Sequence, residues 1–484
     1  MTDHKAPGLQ NTFATELEGL YAPWSPQGFP APAVLLLNRS LAAELGIDAT
    51  WLEERGARVL SGSEIAPGSR PLSQAYGGHQ FGHFNPLLGD GRAGLIGEVV
   101  APGGERFDLQ LKGAGLTPFS RNGDGRAALD SVLREYILSE AMHALGVPTT
   151  RALAVVTTGE TVLRQRRAAA GAVLTRVASS HLRIGTLEFF AFRGENEKLR
   201  RLVDYALRRH YPERAETDNP AKALLDAVAV AQAELVARWM LVGFVHGVMN
   251  TDNVTLSGET IDYGPCAFMD AYNPNTVFSQ IDHAGRYAFG RQPTTGSWNV
   301  TRMAEALLRI LDDDPDAAVA LATESLDLFR ATYDATWLAG MRAKLGLSGE
   351  DEGDIDLFVS LLVSMHQTKA DYTQTFRRLS ASLAADGPAL DEPALAAWSV
   401  DWRKRLHPTP LPEVIAAMDR VNPIYVARNH NVEEALDAAV AGDMAPAKML
   451  MDVLSRPFEF QPGRHSFAEP APEDFGHYQT HCNT

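Results

Sequence analysis

The sequence is poor in features that mark several large classes of protein. It has only two cysteines, Cys266 and Cys482, in 484 residues, which is too few for a disulfide framework or a cysteine-rich zinc site. Its N-terminus has neither an apolar core nor an arginine-rich amphipathic pattern, so no signal or transit peptide is evident. No internal repeat or low-complexity tract is present. With 45% apolar and 21% charged residues, the chain is expected to be a globular protein of the reducing cytoplasm.

The chain also lacks a surplus of cations and a long apolar run. It has 44 Lys and Arg against 60 Asp and Glu, a net charge of −16, which argues against a general nucleic-acid binder. The longest apolar stretch, residues 224–245, is interrupted by charged and amide side chains and predicts a buried helix instead of a membrane span. We therefore expect neither nucleic acid nor a membrane as a partner.

Periodicity divides the chain into a strand-rich first part and a helical second part. Strands are predicted over 95–100, 107–112, 155–162 and 172–177, and a helix over 127–145. Later helices are predicted over 186–192, 198–209, 221–245, 301–312, 317–338, 354–369, 372–385 and 412–422, and a hairpin turn over 164–170. This order predicts an α+β, bilobal, protein-kinase-like fold with a small β-rich lobe over 71–178 and a larger helical lobe over 179–345. Residues 1–70 and 346–484 are expected to form an N-terminal extension and a helical C-terminal extension.

Two loops in the second part carry the residue types of a nucleotide-bound metal site. The run 246–253 ends in Asp252 and Asn253, and a short predicted hairpin separates it from Asp262. An amide oxygen and one carboxylate suit Mg²⁺, which keeps several waters and needs few protein ligands. A protein kinase has an Asp five positions before such an Asn, but here the residue is Val248, which cannot accept a proton. Asp252 is then either a replacement base or a loop-stabilising carboxylate, and the residues alone leave both open.

A second group of residues is suited to binding phosphates. Gly89 and Gly91 flank Asp90 just before a predicted strand pair and precede Arg92. Such glycines let backbone amides approach a phosphate, although the run is also typical of an ordinary turn. Lys112 on a strand and Glu135 on the next helix match the ion pair that positions ATP phosphates in kinases, and Glu140 competes with Glu135 for that role.

Four further residues join these candidates. Asp124 and Gly125 precede the predicted helix, where Asp124 is equally well explained as a helix N-cap. Arg176 and Arg183 flank the passage from a strand to a helix, and two guanidinium groups near a helix start can clamp an anion. Taken singly, each arginine is also compatible with an ordinary surface position.

Together these blocks resemble the selenoprotein O family. The resemblance covers most of the chain and rests on long motifs: residues 76–82, 89–92, 109–113, 117–121, 124–126, 246–253, 261–265, 422–423 and 428–429. It implies a pseudokinase-like fold that transfers AMP from ATP to Ser, Thr or Tyr hydroxyls of proteins, with the nucleotide reversed relative to kinases. It further implies that ATP contacts Gly89, Gly91, Arg92, Lys112, Asp124, Gly125, Arg176 and Arg183, that Asn253 and Asp262 bind Mg²⁺ or Mn²⁺, and that Asp252 accepts the proton. Some family members use UTP with Mn²⁺, and this donor stays open here.

The reversed nucleotide has a physical rationale in the cations. Attack at the α-phosphorus expels pyrophosphate, whose charge needs more cations than γ-transfer does. Arg92, Lys112, Arg176 and Arg183 supply them. The family also carries a C-terminal cysteine, which Cys482 matches, but residues 275–279 contain no cysteine to pair with it. The sequence thus argues against a regulatory disulfide.

These features lead to one main expectation and two rivals. The main expectation is a metal-dependent protein adenylyltransferase. The first rival is a small-molecule kinase that transfers the γ-phosphoryl group, which the same metal loops permit. The second is a non-catalytic nucleotide-binding scaffold, suggested by Val248.

Overall fold

An antiparallel sheet of eight strands organises the first part of the chain. The computed structural model describes residues 8–164, 167–406, 410–475 and 478–480. The sheet order is β1-β3-β6-β7-β10-β9-β2, and β8 pairs with β10. Its strands are β1 (Tyr21–Pro23), β2 (Ala33–Leu37), β3 (Leu72–Gln74), β6 (Ala93–Val100), β7 (Arg106–Lys112), β8 (Ala127–Ala128), β9 (Arg151–Arg164) and β10 (Arg167–Ala178). Strands β4 (Gly78–Gln80) and β5 (His83–Asn85) form a separate hairpin, and β11 (Phe244–Val245) and β12 (Ala267–Phe268) form a separate two-stranded sheet.

Strand β7 shows why the sheet has one apolar and one polar face here. Successive side chains of a strand point to opposite faces, and Leu109 and Leu111 pack into an apolar cluster with the N-terminal helices. Asp108, Gln110 and Lys112 occupy the other face and are buried too. The β6–β7 hairpin, paired from Ala93↔Lys112 to Val100↔Arg106, confirms the two strands predicted from the sequence.

The first seventy residues contribute directly to this sheet. Strand β1 pairs with β3, and β2 pairs with β9. The short helices that follow cover one face of the sheet through the cluster containing Leu41, Trp51 and Leu52. The boundary predicted at residue 70 therefore separates strands that belong to one sheet. The division of the chain into four units stays a prediction.

Sixteen α-helices lie in the described residues, and most of them follow the sheet. The nine helices predicted from residue 127 onward are present with shifted ends, whereas α1, α3, α4, α13, α15 and α16 were not predicted. They are α1 (Thr12–Glu16), α2 (Arg39–Glu44), α3 (Ala49–Arg55), α4 (Ala57–Leu60), α5 (Leu129–Ala144), α6 (Ile184–Phe192), α7 (Asn196–His210), α8 (Pro220–Val242), α9 (Gln292–Leu311), α10 (Pro315–Lys344), α11 (Asp354–Thr368), α12 (Tyr372–Ala381), α13 (Pro393–Leu406), α14 (Leu411–Val421), α15 (Asn429–Val440) and α16 (Ala445–Leu454).

Three local predictions need correction. Helix α5 begins at Leu129 and not at Ala127, because Ala127 and Ala128 pair with strand β10. Helix α8 ends at Val242, because Gly243 adopts a φ of 73°, which favours glycine, and the next two residues form β11. The hairpin predicted between the two metal loops is reduced to a single bridge, Val254↔Thr260. The hairpin turn predicted over 164–170 includes residues 165–166, which lie outside the described residues.

The α+β class is confirmed by this architecture. Helix α5 packs on strands β9 and β10 from the face opposite α2–α4, and its Leu133 and Ile137 are almost fully buried. Helices α15 and α16 also contribute side chains to the apolar cluster that contains Leu133 and Ile137. In the part of the chain that is described, no helix combines the length and the apolar character needed to cross a membrane.

Lys344, at the end of α10, allows a test of this packing. Its side chain is 4% exposed, and burial lowers its pKa to about 7. The ammonium lies 3.9 Å from the ring centroid of Phe376, and no carboxylate lies within 4 Å of it among the described residues. Burying a charge without a partner carboxylate costs free energy, and stacking over an aromatic ring offsets only part of that cost.

We expect Lys344→Met to stabilise the protein by about 1–3 kcal/mol at pH 7. The pKa of this amine is lower in the folded than in the unfolded chain, so unfolding takes up a proton between about pH 7 and 10. The stability of the parent chain therefore rises with pH across that window, and the advantage of the variant shrinks. Urea unfolding of both proteins at pH 7 and pH 9.5 measures this difference. An advantage that stays constant or grows with pH would contradict the assignment.

Candidate active site

Lys112 lies between two acidic side chains from different parts of the fold. Its ammonium is 2.5 Å from Glu135 Oε2 on α5 and 2.5 Å from Asp262 Oδ1 on the loop before β12. The alternation of β7 directs Lys112 toward α5, and Glu135 is on the face of that helix that meets the sheet. The predicted Lys112–Glu135 pair is therefore formed. Glu140, the competing candidate, instead accepts hydrogen bonds from Arg151 and Asn38.

Asp262 is held as a carboxylate and remains accessible. Burial would raise the pKa of this carboxyl, but Lys112, Arg176 and Arg92 outweigh that effect and hold its pKa well below the ordinary range. Its side chain is nevertheless 35% exposed, so a ligand can reach it. Its φ of 71° is unusual for a residue with a side chain and indicates that the surrounding contacts fix its orientation.

Asn253 and Asp252 lie on a 3₁₀ turn spanning Thr251–Asn253. The side-chain amide of Asn253 donates to the carbonyl of Val248 at 3.2 Å, which leaves the amide oxygen available to a ligand. Val248, at the position of the kinase catalytic Asp, is 7% exposed and belongs to the apolar core. His246 joins this loop to that of Asp262 through a 3.0 Å contact with the carbonyl of Ile261.

Asp252 is a buried carboxyl with spare hydrogen-bonding capacity. It is 8% exposed, and burial raises its pKa to about 6, against the opposing charge of Arg183. Its Oδ2 accepts a hydrogen bond from Gln80 at 3.3 Å, while its Oδ1 has no partner among the described residues. A methyl group at Gly78 would lie 2.8 Å from that oxygen, so the glycine lets strand β4 lie directly over it. A buried polar atom without a partner is costly unless a ligand or solvent satisfies it.

Three arginines surround the acidic residues. Arg176, 3% exposed, contacts Glu135 at 3.1 Å. Arg183 caps the start of α6, where its guanidinium donates to the carbonyl of Asp252 at 3.0 Å and lies 3.6 Å from Asp90. The charge of Arg92 contributes to lowering the pKa of Asp262, so it lies nearby. The structure thus brings these three predicted phosphate-binding arginines together around Asp262.

The glycines at 89 and 91 have a packing role that is independent of any ligand. Gly89 has a φ of 67°, and a methyl group there would lie 2.2 Å from the ring of Phe119. A methyl group at Gly91 would lie 3.2 Å from the Phe119 carbonyl. Gly89 therefore has to be glycine for the contact with the loop at 117–120, whereas Gly91 only lies close to that loop. The role of both glycines in binding phosphate stays a prediction.

Asp124 and Gly125 belong to the loop between β7 and β8. Asp124 does not cap α5; its carboxylate accepts hydrogen bonds from Arg164 and from the main chain of Arg126. The side chain is 51% exposed. Gly125 has a φ of 70° and packs against the Gly115 backbone. The N-cap interpretation of Asp124 is therefore wrong, while its contact with ATP stays a prediction.

Several residues of the site were not predicted from the sequence. Asp90 accepts from the Gln74 amide and from Gln110, which in turn bonds Arg176. Gln80 bonds Asp252, as described above, and Asn250 accepts a hydrogen bond from Tyr287 at 2.6 Å. Asp90 and Gln80 each lie within a motif shared with the family, so their positions could have indicated that they belong to the site. Tyr287 lies far from both motifs and gave none.

Cys266, the one cysteine within the described residues, does not take part in this site. It is buried, and burial raises the pKa of its thiol to about 12, so the reactive thiolate is disfavoured. Cys482 lies outside the described residues. The expectation that no regulatory disulfide forms stays a prediction.

These contacts define the class of protein. A lysine held between a helix glutamate and an aspartate, beside an asparagine on a second loop, is typical of enzymes that transfer part of a nucleoside triphosphate. Residues 8–455 match the family model described as "Protein adenylyltransferase SelO". The chain is 56% identical over 481 residues to the protein nucleotidyltransferase YdiU of Cereibacter sphaeroides, covering 98% of this chain and 99% of that protein.

Relatives from other bacteria carry the same name. Over 486 residues the chain is 53% identical to the protein nucleotidyltransferase YdiU of Rhizobium meliloti, and over 483 residues it is 52% identical to that of Mycobacterium sp. strain KMS. Each alignment covers 98% of this chain and 99% of the relative. The chain belongs to the SelO family, as the sequence predicted, and it is an enzyme of the nucleotidyltransferase class.

Proposed function

We propose that this chain transfers AMP from ATP to Ser, Thr or Tyr hydroxyls of other proteins and releases pyrophosphate. The observation that carries the proposal is the joint placement of Lys112, Glu135 and Asp262, with a second carboxyl, Asp252, on the neighbouring loop. The names of the relatives support a protein as acceptor and a nucleotide as donor. We also propose that the sheet and the helices that follow it correspond to the two lobes of a kinase-like fold.

Asn253 and Asp262 suit a divalent cation. Asp262 is ionised and accessible, and the Asn253 oxygen is left free by the bond of its amide to Val248. Among the described residues, no group of three or more His, Cys, Asp or Glu side chains is arranged to hold a metal, so these two residues would leave most coordination positions to water and phosphate, as Mg²⁺ prefers. Bound there, Mg²⁺ or Mn²⁺ would neutralise charge on the triphosphate.

Asp252 is the proposed proton acceptor. The acceptor hydroxyl attacks the α-phosphorus, the bond from that phosphorus to the bridging oxygen of the β-phosphate breaks, and pyrophosphate leaves. Asp252 takes the proton that the hydroxyl loses. The unpartnered Oδ1 of Asp252 supports this role, and Val248 offers no alternative base. Lys112, Arg92, Arg176 and Arg183 provide the positive charge that developing pyrophosphate requires.

A labelling experiment tests the reaction. We expect ATP labelled at the α-phosphate to leave label on an acceptor protein, and ATP labelled at the γ-phosphate to leave none, because the bond to pyrophosphate breaks. Gel separation followed by scintillation counting measures both. Retention of γ label on a small molecule would support the rival kinase, and no transfer from either position would support the non-catalytic scaffold.

Other expectations remain predictions beside this proposal. They concern the reversed orientation of the nucleotide, UTP as a second donor, and the choice between Mg²⁺ and Mn²⁺. The cytoplasmic location and the expected lack of nucleic-acid and membrane partners belong with them. Repeating the labelling with α-labelled UTP, and with Mg²⁺ and Mn²⁺ in turn, tests whether UTP is a second donor and which metal supports transfer.

A further inference from the structure

Two cavities lie along the loop that joins β12 to α9. One has a volume of about 500 Å³ and the other of about 810 Å³. They share Asp282, His283, Ala284 and Arg291 in their walls, so they are neighbouring compartments of one depression. We call the larger compartment the acceptor groove and define it by Phe81, Ile281, Arg286, Arg291 and Trp298.

The acceptor groove begins next to the proposed base. The main-chain amide of Phe81 donates to Asn250 Oδ1 at 3.1 Å, and the preceding residue, Gln80, bonds Asp252. Tyr287, which follows the groove residue Arg286 in the chain, also donates a hydrogen bond to Asn250. A peptide bound against Phe81 in the groove would therefore lie next to Gln80, whose side chain contacts Asp252.

Two arginines of the groove form no ion pair with any carboxylate of the described residues. The guanidinium of Arg286 lies 4.5 Å from the ring centroid of Trp298, and that of Arg291 donates to the carbonyl of Ala284 at 3.3 Å. Neither has a carboxylate within 4 Å in the described part of the chain. By contrast, Arg302, also on Trp298, pairs with Glu305 at 2.7 Å.

The acid in the groove wall forms no ion pair with these cations among the described residues. Asp282 is 6% exposed, and its two oxygens accept hydrogen bonds from the main-chain amides of Arg286 and Tyr287, both at 2.8 Å. These hydrogen bonds fix the loop and orient both oxygens of the carboxylate toward the main chain. The groove also contains the first turns of α9, at Thr294 and Thr295, where the helix dipole favours anions.

Apolar surface accompanies the charge. Ile281 is 51% exposed, and Phe81 and Trp298 are half-buried in the walls. A small phosphate-bearing molecule would not use this surface, whereas a polypeptide with mixed side chains would. The whole chain carries a charge of −16, so a patch of unpaired arginines is needed to draw an acidic segment to this face.

We propose that the acceptor groove binds an extended segment of the acceptor protein, with an acidic side chain near the target hydroxyl facing Arg286 and Arg291. An apolar side chain of that segment packs against Ile281 and Trp298. This inference rests on the proposed function, since it assigns the groove to the substrate of that reaction. It adds a specificity rule: acidic flanks favour modification, and basic flanks oppose it.

Direct binding to the full-length chain tests the groove apart from the chemistry. Two fluorescent peptides are compared, identical in their central hydroxyl and apolar residues but flanked by Glu in one and by Lys in the other. With a non-hydrolysable ATP analogue and Mg²⁺ present, anisotropy should show that the Glu peptide binds about tenfold more tightly. Arg291→Glu should abolish or reverse this preference, because it changes the sign of an exposed groove charge.

Matched variants make the result specific. Arg330→Glu changes an arginine that is 66% exposed on α10 and lines neither cavity, so it should bind both peptides as the parent does. Arg291→Gln should weaken the preference without reversing it. Equal affinity of the parent chain for both peptides, or an unchanged preference in Arg291→Glu, would overturn the proposal.

Transfer of α label to the same peptides separates the two claims. Charge-selective binding without transfer would leave the groove established and defeat the proposed function. Transfer with equal KM values for both peptides would uphold the function and overturn the groove. If both hold, Arg291→Glu should raise the KM of the Glu peptide about tenfold and leave kcat within about twofold, since the arginine lies outside the reacting groups.

Discussion

Asp262→Asn is expected to lower nucleotidyl transfer by about a thousandfold while the protein remains folded. The substitution removes the charge that Lys112, Arg176 and Arg92 stabilise and that a divalent cation would use. Asn is the better replacement than Ala, because it keeps the size of the side chain and tolerates the φ of 71°. Transfer of α label at saturating ATP and Mg²⁺ measures the loss, and a thermal melt checks the fold.

The control for this variant is Asp130→Asn. Asp130 lies in the first turn of α5, and the hydrogen bond recorded for its carboxylate is to the amide of Ser131. We expect this variant to keep nearly full activity. Activity near the parent level in Asp262→Asn would remove the aspartate from the metal site, whatever the control shows. A shifted Mg²⁺ dependence with partial activity would fit a ligand role.

Local pattern was enough to predict four strands of the main sheet and to propose an ion pair between Lys112 and the following helix. The alternation of β7 gives the face of Lys112, whereas the sequence left Glu135 and Glu140 as alternative partners on α5 and the structure selects Glu135. Asp262 and Asn253 could be proposed as metal ligands because their motifs are compact. In each case the candidate residue and the element that orients it are adjacent in the chain.

Contacts between distant segments could not be predicted in the same way. Gln80 and Asp252 are 172 positions apart, and their contact depends on how the β4–β5 hairpin settles over the 3₁₀ turn. The start of α5 was misplaced for a related reason, since a pairing with β10 overrides the helical preference of two alanines. Packing between elements, which periodicity does not report, decided both.

Lys112→Met is expected to reduce kcat/KM for ATP by two to three orders of magnitude, roughly the loss seen when a preorganised charge is removed. Met keeps the apolar stem of the side chain and removes the ammonium that contacts Glu135 and Asp262. Arg176 still pairs with Glu135, so we expect the fold to survive with a stability loss of about 1–3 kcal/mol. Steady-state kinetics over a range of ATP and a urea titration measure the two effects.

Lys222→Met is the matched control, since Lys222 is also partly buried and paired, at 2.8 Å, with Asp226 on the same helix. It should lose little activity, because α8 supplies none of the residues placed in the site. The double variant Lys112→Met/Asp262→Asn then tests whether the two residues act together. If Lys112 works by holding Asp262 and the triphosphate in one arrangement, the double variant should be scarcely slower than the worse single variant. Losses that multiply fully would mean that Lys112 and Asp262 act independently, and unchanged turnover in Lys112→Met would make Lys112 a structural residue only.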